Sequence, residues 1–391
     1  MKTSLTSSTV LRPALALVVL VACLGLMGDA EAKDPEWTYT ELDDTGHALS
    51  ISENGDVIAV GNGSYLEVFL KHNNSRLWRY EYPAGIVEID ISADGQLIVA
   101  CGHGPGGEDA AVVLLAWNSS TPIWKYELDQ DGAFYDCDIS DDGNYIAAVS
   151  YQAGLYYFGK DSSTPLWTRG VSNAYAVDLS SDGKYIVGGS AYSNGGAIFL
   201  YNHTGDDEPD HLWTHSGGCG IAEKQVSISS DGEFIVSVFS GNCGSSGTKN
   251  LAVHRYNSST PVWTHTNHHY NVAEISANGD YIYAGDQQKG YLYTTNNNTA
   301  VWSTPSNSSF ETRSVSVSST GHSAIFGLYN TEIHLFEYDN STALWSYDFS
   351  SGSSQHLGVS MSSNGAGIVA AEGVDLVYLK ESYTIPQISL V

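Results

Sequence analysis

One short pattern recurs eight times along this chain, and few folds are open to a sequence that repeats at this period. ISADGQLIVACG (91–102) has near copies in ISENGDVIAVG (51–61), ISDDGNYIAAVS (139–150), LSSDGKYIVGGS (179–190), ISSDGEFIVSVF (228–239) and ISANGDYIYAG (275–285). VSSTGHSAIFG (317–327) and MSSNGAGIVAA (361–371) are looser copies. The glycines Gly55, Gly95, Gly143, Gly183, Gly232, Gly279, Gly321 and Gly365 follow one another at 40, 48, 40, 49, 47, 42 and 44 residues. A repeat of that length is the size of one propeller blade. The Ser-x-(Asp/Asn)-Gly core reads as a tight hairpin turn, in which the acid or amide caps the turn and Gly supplies a positive φ. Asp94, Asp142, Asp182 and Asp231 are therefore read as turn residues rather than metal ligands, because a turn repeated in every copy is scaffold.

A second pattern accompanies each copy. It reads STPIWKYEL (120–128), STPLWTRG (163–170), STPVWTHT (259–266), NTAVWSTP (298–305) and STALWSYDF (341–349), with SRLWRYEY (75–82) and DHLWTHS (210–216) as looser members. The tryptophans are Trp78, Trp124, Trp167, Trp213, Trp263, Trp302 and Trp345. The eighth repeat has none and runs out into YTIPQISLV, while PEWTYTEL (35–42), with Trp37, precedes the first repeat and has no blade of its own. Each repeat holds four strand-like segments separated by Gly-rich or Asn-Ser-rich turns. The expected fold is all-β: an eight-bladed propeller of four-stranded antiparallel blades, spanning 33–382, with the N-terminal strand closing the last blade. Closure removes the open sheet edge that an unclosed array would expose. The eight tryptophans are expected to pack between blades.

Composition narrows function more than it defines it. The chain has 391 residues and a formal charge of −28, carries 44 acidic against 16 basic residues, and is 42% hydrophobic and 11% aromatic. So few cations argue against a nucleic-acid partner, and so many apolar and aromatic residues argue against disorder. Residues 1–32 read as a secretory signal peptide: Lys2 and Arg12, then an apolar run from Ala14 to Met27, then Ala30-Glu31-Ala32 as a cleavage pattern. The apolar run is too short for a bilayer span. Leu20-Val21-Ala22-Cys23 also resembles a lipobox, so a lipid anchor on Cys23 is the alternative; the run stays apolar past Cys23, which favours cleavage and secretion. Residues 383–391 form a C-terminal tail. The expected mature product is a monomer, secreted or on the cell surface or in the periplasm.

The Trp strand after a polar turn resembles the PQQ-type (pyrroloquinoline-quinone-like) propeller repeats, and the S-x-D-G-x-x-I-A turns are similar to those of WD-repeat and Tol-type propellers. The Trp-Asp dipeptide of WD repeats is absent. The STPLW wording with many Asn-Ser-Ser turns resembles secreted archaeal or bacterial propellers. The resemblance spans about 35–381 and implies the fold; its members include quinone-dependent dehydrogenases and a partner-binding outer-membrane assembly lipoprotein. The dehydrogenases often cover their cofactor with a vicinal Cys pair, which this chain lacks, so no cofactor is expected.

Four cysteines follow the signal. Cys219 and Cys243 fall in connections expected on one face and form the preferred disulfide candidate. Cys137 occupies a position filled by Val177, Val226 and Val315 in other repeats and reads as core; pairing with Cys101 is the less favoured alternative. The acidic run Asp206-Asp207-Glu208-Pro209-Asp210 could take calcium but lacks the spacing of a calcium loop. His215, His265, His268 and His269 cluster in repeat order without zinc-ligand spacing. Eight N-x-S/T sequons, at Asn62, Asn73, Asn118, Asn202, Asn257, Asn297, Asn307 and Asn340, are possible glycosylation sites or simply good turn residues. The long Gly-rich segments Gly102–Ala110 and Ser240–Asn250, with Tyr192-Ser193-Asn194, are expected on the Cys219–Cys243 face and are the expected partner site. The leading expectation is a non-catalytic interaction scaffold for an unknown protein or glycan partner. The alternatives are an enzyme or carbohydrate-binding propeller with its site in the central funnel, and a cell-envelope assembly lipoprotein.

Overall fold

The computed structural model describes residues 30–42, 48–107, 109–128, 132–190, 196–205, 208–218, 221–240, 249–349 and 357–381. These residues form 33 strands in eight sheets and no helix. Every sheet is a blade of four sequential antiparallel strands, save two in which an N-terminal segment takes part. Blade 3 illustrates the build: Phe134–Ile139 lies innermost, followed outward by Tyr145–Ser150, Gly154–Gly159 and Trp167–Arg169.

The closure expected from the count of tryptophans is present. Trp37–Tyr39 pairs antiparallel with Asp375–Lys380, with Trp37 opposite Tyr378, and becomes the outer strand of blade 8. One pairing was not legible in the sequence. Glu31–Ala32 adds in parallel to Trp345–Asp348 as a fifth strand on blade 7. Lys33 continues it, donating its N–H to the Ser346 carbonyl at 2.9 Å.

The repeated turn is a small hydrogen-bond cassette. In blade 2, Ser92 Oγ accepts the Leu97 N–H (3.0 Å) and donates to Asp94 Oδ1 (2.9 Å), which in turn accepts the Gln96 N–H (2.9 Å). Gly95 closes the turn at φ 73°. The Ser Oγ to N–H bond recurs in all eight blades, at Val57, Leu97, Tyr145, Tyr185, Phe234, Tyr281, Ser323 and Gly367. Each acid or amide here is occupied by backbone donors, so the turn reading of Asp94, Asp142, Asp182 and Asp231 agrees with the geometry.

The core is divided into eight apolar clusters, one in each seam between neighbouring blades. The eight repeat tryptophans each join one seam. Trp124, Trp167, Trp213, Trp263 and Trp345 are fully buried there, and Trp37, Trp78 and Trp302 are partly so. Six indoles also donate Nε1–H to a backbone carbonyl of the next blade, at Lys71, Trp117, Lys160, Tyr256, Thr295 and Tyr338. Trp345 donates to the Glu381 carboxylate instead (2.5 Å), and Trp167 makes no such bond but stacks on Tyr157 with centroids 4.7 Å apart. Seven of the eight indoles therefore set their bodies in one seam and reach across it with the polar edge.

Cys101 and Cys137 are disulfide-bonded, which corrects the preference for an unpaired core Cys137. The two repeats align Cys101 on the second strand of blade 2 and Cys137 on the first strand of blade 3, and the seam brings their Cα atoms within 6.2 Å. Both remain buried, so Cys137 is a core residue as well as a half-cystine. Cys219 and Cys243 lie outside the described residues, as do Tyr192-Ser193-Asn194 and the segments 1–29 and 382–391.

Candidate functional site

Antiparallel blades put their connections at two ends. The Ser-x-(Asp/Asn)-Gly turns and the hairpins between third and outer strands share one end, here the turn end. The connections between second and third strands, and from one blade to the next, share the opposite or loop end. The described part of the segment 102–110 leads from the second to the third strand of blade 2 and so belongs to the loop end, whereas 241–248 lie outside the described residues.

Along the axis between the two ends runs a channel lined by the innermost strands. Its middle layer takes one polar residue from each blade: Ser50, Asp90, Asp138, Asp178, Ser227, Glu274, Ser316 and Ser360. Each sits two positions before the cassette serine, where strand alternation points it away from the seams. Seven of these side chains accept an N–H from the inner strand of a neighbouring blade. Asp90, Asp138 and Asp178 take those of Ile139 (3.2 Å), Leu179 (2.7 Å) and Ile228 (2.8 Å), and Glu274 takes that of Val317 (3.1 Å). Ser227, Ser316 and Ser360 do the same for Ile275, Met361 and Ile51. Ser50 completes the ring by donating to Asp90 Oδ1 at 3.3 Å.

Beside the turn end, backbone hydrogen bonds also link neighbouring turns. Successive links run from Ala93 N–H to Asp141 C=O, Ser181 to Ser230, Ser230 to Ala277, Ser319 to Ser363 and Ser363 to Glu53, at 2.8–3.1 Å. Glu53 and Asp141 add carboxylates at this mouth, and Glu88 and Asp136 add two toward the loop end. No Lys, Arg or His is among the described lining residues.

The carboxylates of the middle layer respond to this crowding. Asp138 is hydrogen-bonded to Asp90 on one side and Asp178 on the other, an arrangement that requires shared protons. Burial, then the charges of Asp90 and Asp178, push Asp138 well above the ordinary range. Burial raises Asp90 as well, and carries Asp178 to about 7 and Glu274 to about 8. Burial and the neighbouring Asp141 and Asp90 raise Glu53 to about 7. The charged forms are disfavoured here because the groups are buried and no basic side chain is among the described lining residues.

At the loop-end mouth the inner strands of blades 2, 3 and 4 each carry a bulge, between Ile86 and Glu88, Phe134 and Asp136, and Ala174 and Ala176. In blades 3 and 4 the bulge positions Tyr135 and Tyr175, whose ring centroids lie 4.7 Å apart. Tyr151 joins them at 5.4 Å from Tyr175, and His103 packs on Tyr135 at 5.0 Å. All four rings are half-buried, giving a small aromatic surface beside Glu88 and Asp136.

The other sequence candidates scatter. Glu208 pairs with Arg169, and Asp210 sits in a strand opposite Asn202, while Asp206 and Asp207 lie outside the described residues. His215 and His265 enter different seams: His215 packs on His254 at 4.7 Å, whereas His265 Nδ1 shares a 2.6 Å hydrogen bond with Tyr270. His269 is exposed and nothing is described of the His268 side chain. Among the described residues no group of three His, Cys, Asp or Glu converges in a metal-binding arrangement. Sequence reasoning missed the axial carboxylates, although a polar residue two positions before the cassette serine in every repeat was the signal. It also missed His254, a fully buried imidazole with neither nitrogen hydrogen-bonded, held at about 3 by burial and by His215.

Comparison with known proteins supports the architecture. No family model matches the sequence, and no curated protein matches it. Among solved structures, the C-terminal WD40 domain of Sif2 is similar, with a TM-score of 0.70 over 91% of this chain and 100% of that one at 14% identity. Likeness at that identity shows the propeller fold alone. No helix among the described residues is long and apolar enough to cross a membrane.

Proposed function

We propose that the protein is a secreted or surface-exposed interaction scaffold without catalytic activity, presenting its loop end to a protein or glycan partner. The supporting observation is the use the fold makes of its axial acids. An enzyme with a site in the funnel would keep carboxylates free to act on substrate. Here Asp90, Asp138, Asp178 and Glu274 hold the inner strands of neighbouring blades by accepting their N–H groups. The ring is closed and built of eight repeats, a frame on which binding residues are carried by the connections. The half-buried rings of Tyr135, Tyr151 and Tyr175 sit on that same end, and tyrosine is favoured in binding surfaces because it offers large contact area at low entropic cost.

The test pairs two measurements on the purified chain. Added PQQ with calcium should give neither a red-shifted absorbance nor dye reduction. Crosslinking in the native host should yield a partner adduct that Tyr135→Ala/Tyr175→Ala weakens while leaving thermal unfolding within a few degrees of wild type. Dye reduction, or a partner indifferent to the tyrosine pair, overturns the reading.

A further inference from the structure

The eight sequons are not equivalent in the fold. Six asparagines are exposed: Asn73, Asn118, Asn257, Asn297, Asn307 and Asn340. Five of these, all but Asn307, occupy the hairpin between the third and outer strands, on blades 1, 2, 5, 6 and 7. They therefore ring the turn end, one per blade. The remaining two are withdrawn. Asn62 is 1% exposed, with its Nδ2 buried. Asn202 is half-buried at the end of a strand, paired on both sides with Tyr185 and Asp210, and its Oδ1 is buried.

The local geometry at the exposed sites leaves the reacting atom outside the turn's own bonding. Asn73, Asn297, Asn307 and Asn340 each accept the N–H of the hydroxyl residue two positions on, at 2.9–3.0 Å, through Oδ1. The turn uses the oxygen, and a glycan would be attached to the nitrogen. The asparagines at these tips are open to solvent, whereas at Asn62 a bulky polar chain would have to displace the seam between blades 1 and 2, where even a Cβ on adjacent Gly61 meets Ile86 at 2.9 Å.

We infer that the six exposed sequons are N-glycosylation sites, and that five of them build a collar of oligosaccharide around the turn end while Asn62 and Asn202 stay bare. The step joins asparagine Nδ2 to the anomeric carbon of an oligosaccharide carried on a polyprenyl phosphate. The bond from that carbon to the phosphate oxygen breaks, the lipid phosphate leaves with the electron pair, and Nδ2 gives one proton to a base of the transferring enzyme. This inference rests on the secreted reading, since the transferase and its lipid donor work on exported chains. It goes further in assigning the two ends different roles. The turn end becomes a solvated, shielded face, and the loop end of blades 2, 3 and 4, with its tyrosines, carries none of the exposed sequons.

The full chain, with its own N-terminal segment, is expressed in a eukaryotic secretory host, and glycopeptides are mapped by mass spectrometry after peptide N-glycosidase treatment in heavy-oxygen water. Deamidation with the heavy label is expected at Asn73, Asn118, Asn257, Asn297, Asn307 and Asn340 and not at Asn62 or Asn202. Thr299→Ala, which keeps Asn297 and the backbone N–H that it accepts, should remove one glycan mass step and leave the melting temperature unchanged. A secreted protein with bare hairpin asparagines, or one labelled at Asn62 or Asn202, overturns the glycan assignment alone. A chain retained in the cytosol with residues 1–32 intact overturns the secreted reading together with the collar that rests on it.

Discussion

Replacing Asp138 by Asn should stabilise the propeller, and increasingly so as pH rises. Asp138 stands at the centre of three hydrogen-bonded carboxyls, with Asp90 and Asp178 on its flanks and Glu53, Glu88, Asp136, Asp141 and Glu274 also facing the channel. A carboxyl raised in the folded state holds a proton that the unfolded chain has already released. Its cost is absent below the unfolded value and grows as pH climbs through the folded one. For Asp178, a rise from 3.8 to about 7 corresponds to about 4 kcal/mol against the folded state once the group is ionised. Asp138→Asn removes only part of that cost, since Asp90 and the other channel acids remain, so the variant is expected to gain about 1–3 kcal/mol at pH 8.5. Asn at this position is isosteric. Its Oδ1 can keep the bond from the Leu179 N–H, and its Nδ2 can donate where a shared proton now sits. Urea unfolding from pH 4 to 9 checks it: wild type should lose stability from about pH 4 to about pH 8, and Asp138→Asn should lose less. A wild-type curve that is flat or rises over that interval, or a variant less stable than wild type at pH 8.5, would refute the reasoning.

Three further outcomes follow from the seams. Trp167→Ala opens the seam between blades 3 and 4, where the indole is 5% exposed, and should cost about 3–5 kcal/mol in chemical denaturation. Cys101→Ser/Cys137→Ser removes a link across 36 residues and should cost about 3–4 kcal/mol in the chain-entropy picture; thiol labelling of the native, unreduced protein should find neither sulfur reactive. His254 behaves oppositely to the channel acids. Held at about 3 against 6.5 unfolded, it favours the folded state while neutral, and that stability is lost as pH falls below about 6.5. His254→Phe should shift the midpoint of acid unfolding, followed by tryptophan fluorescence, to lower pH.

The parts of this fold that were legible in the sequence are those whose chemistry is local. Ser92, Asp94 and Gly95 make their turn with neighbours no more than five residues away, so the residue types alone carry the geometry. Ring closure was legible for another reason: Trp37 had no repeat of its own and the last repeat had no Trp, a mismatch only a circle resolves. What escaped depends on how one blade faces the next. The bond between Cys101 and Cys137 joins strands of different repeats, and nothing within either repeat sets their separation. Asp90, Asp138 and Asp178 occupy alternating polar positions of ordinary half-buried strands, and only the ring turns that exposed face into a channel wall. Asn62 reads as a sequon like any other until the seam beside it is seen to be closed.

The closing strand has a consequence for the order of events during synthesis. Trp37 leaves the ribosome 341 positions ahead of its partner Tyr378. Each of the first seven blades can form its four sequential strands from about 40–50 contiguous residues, but the latch stays open until the eighth repeat is available. A nascent propeller therefore spends most of its synthesis as an open arc, with an unpaired terminal strand and one exposed seam face. Loop-closure entropy makes the final pairing the contact of greatest sequence separation and the natural last step of folding. By the same token, it is the place where a finished ring would first come apart under load.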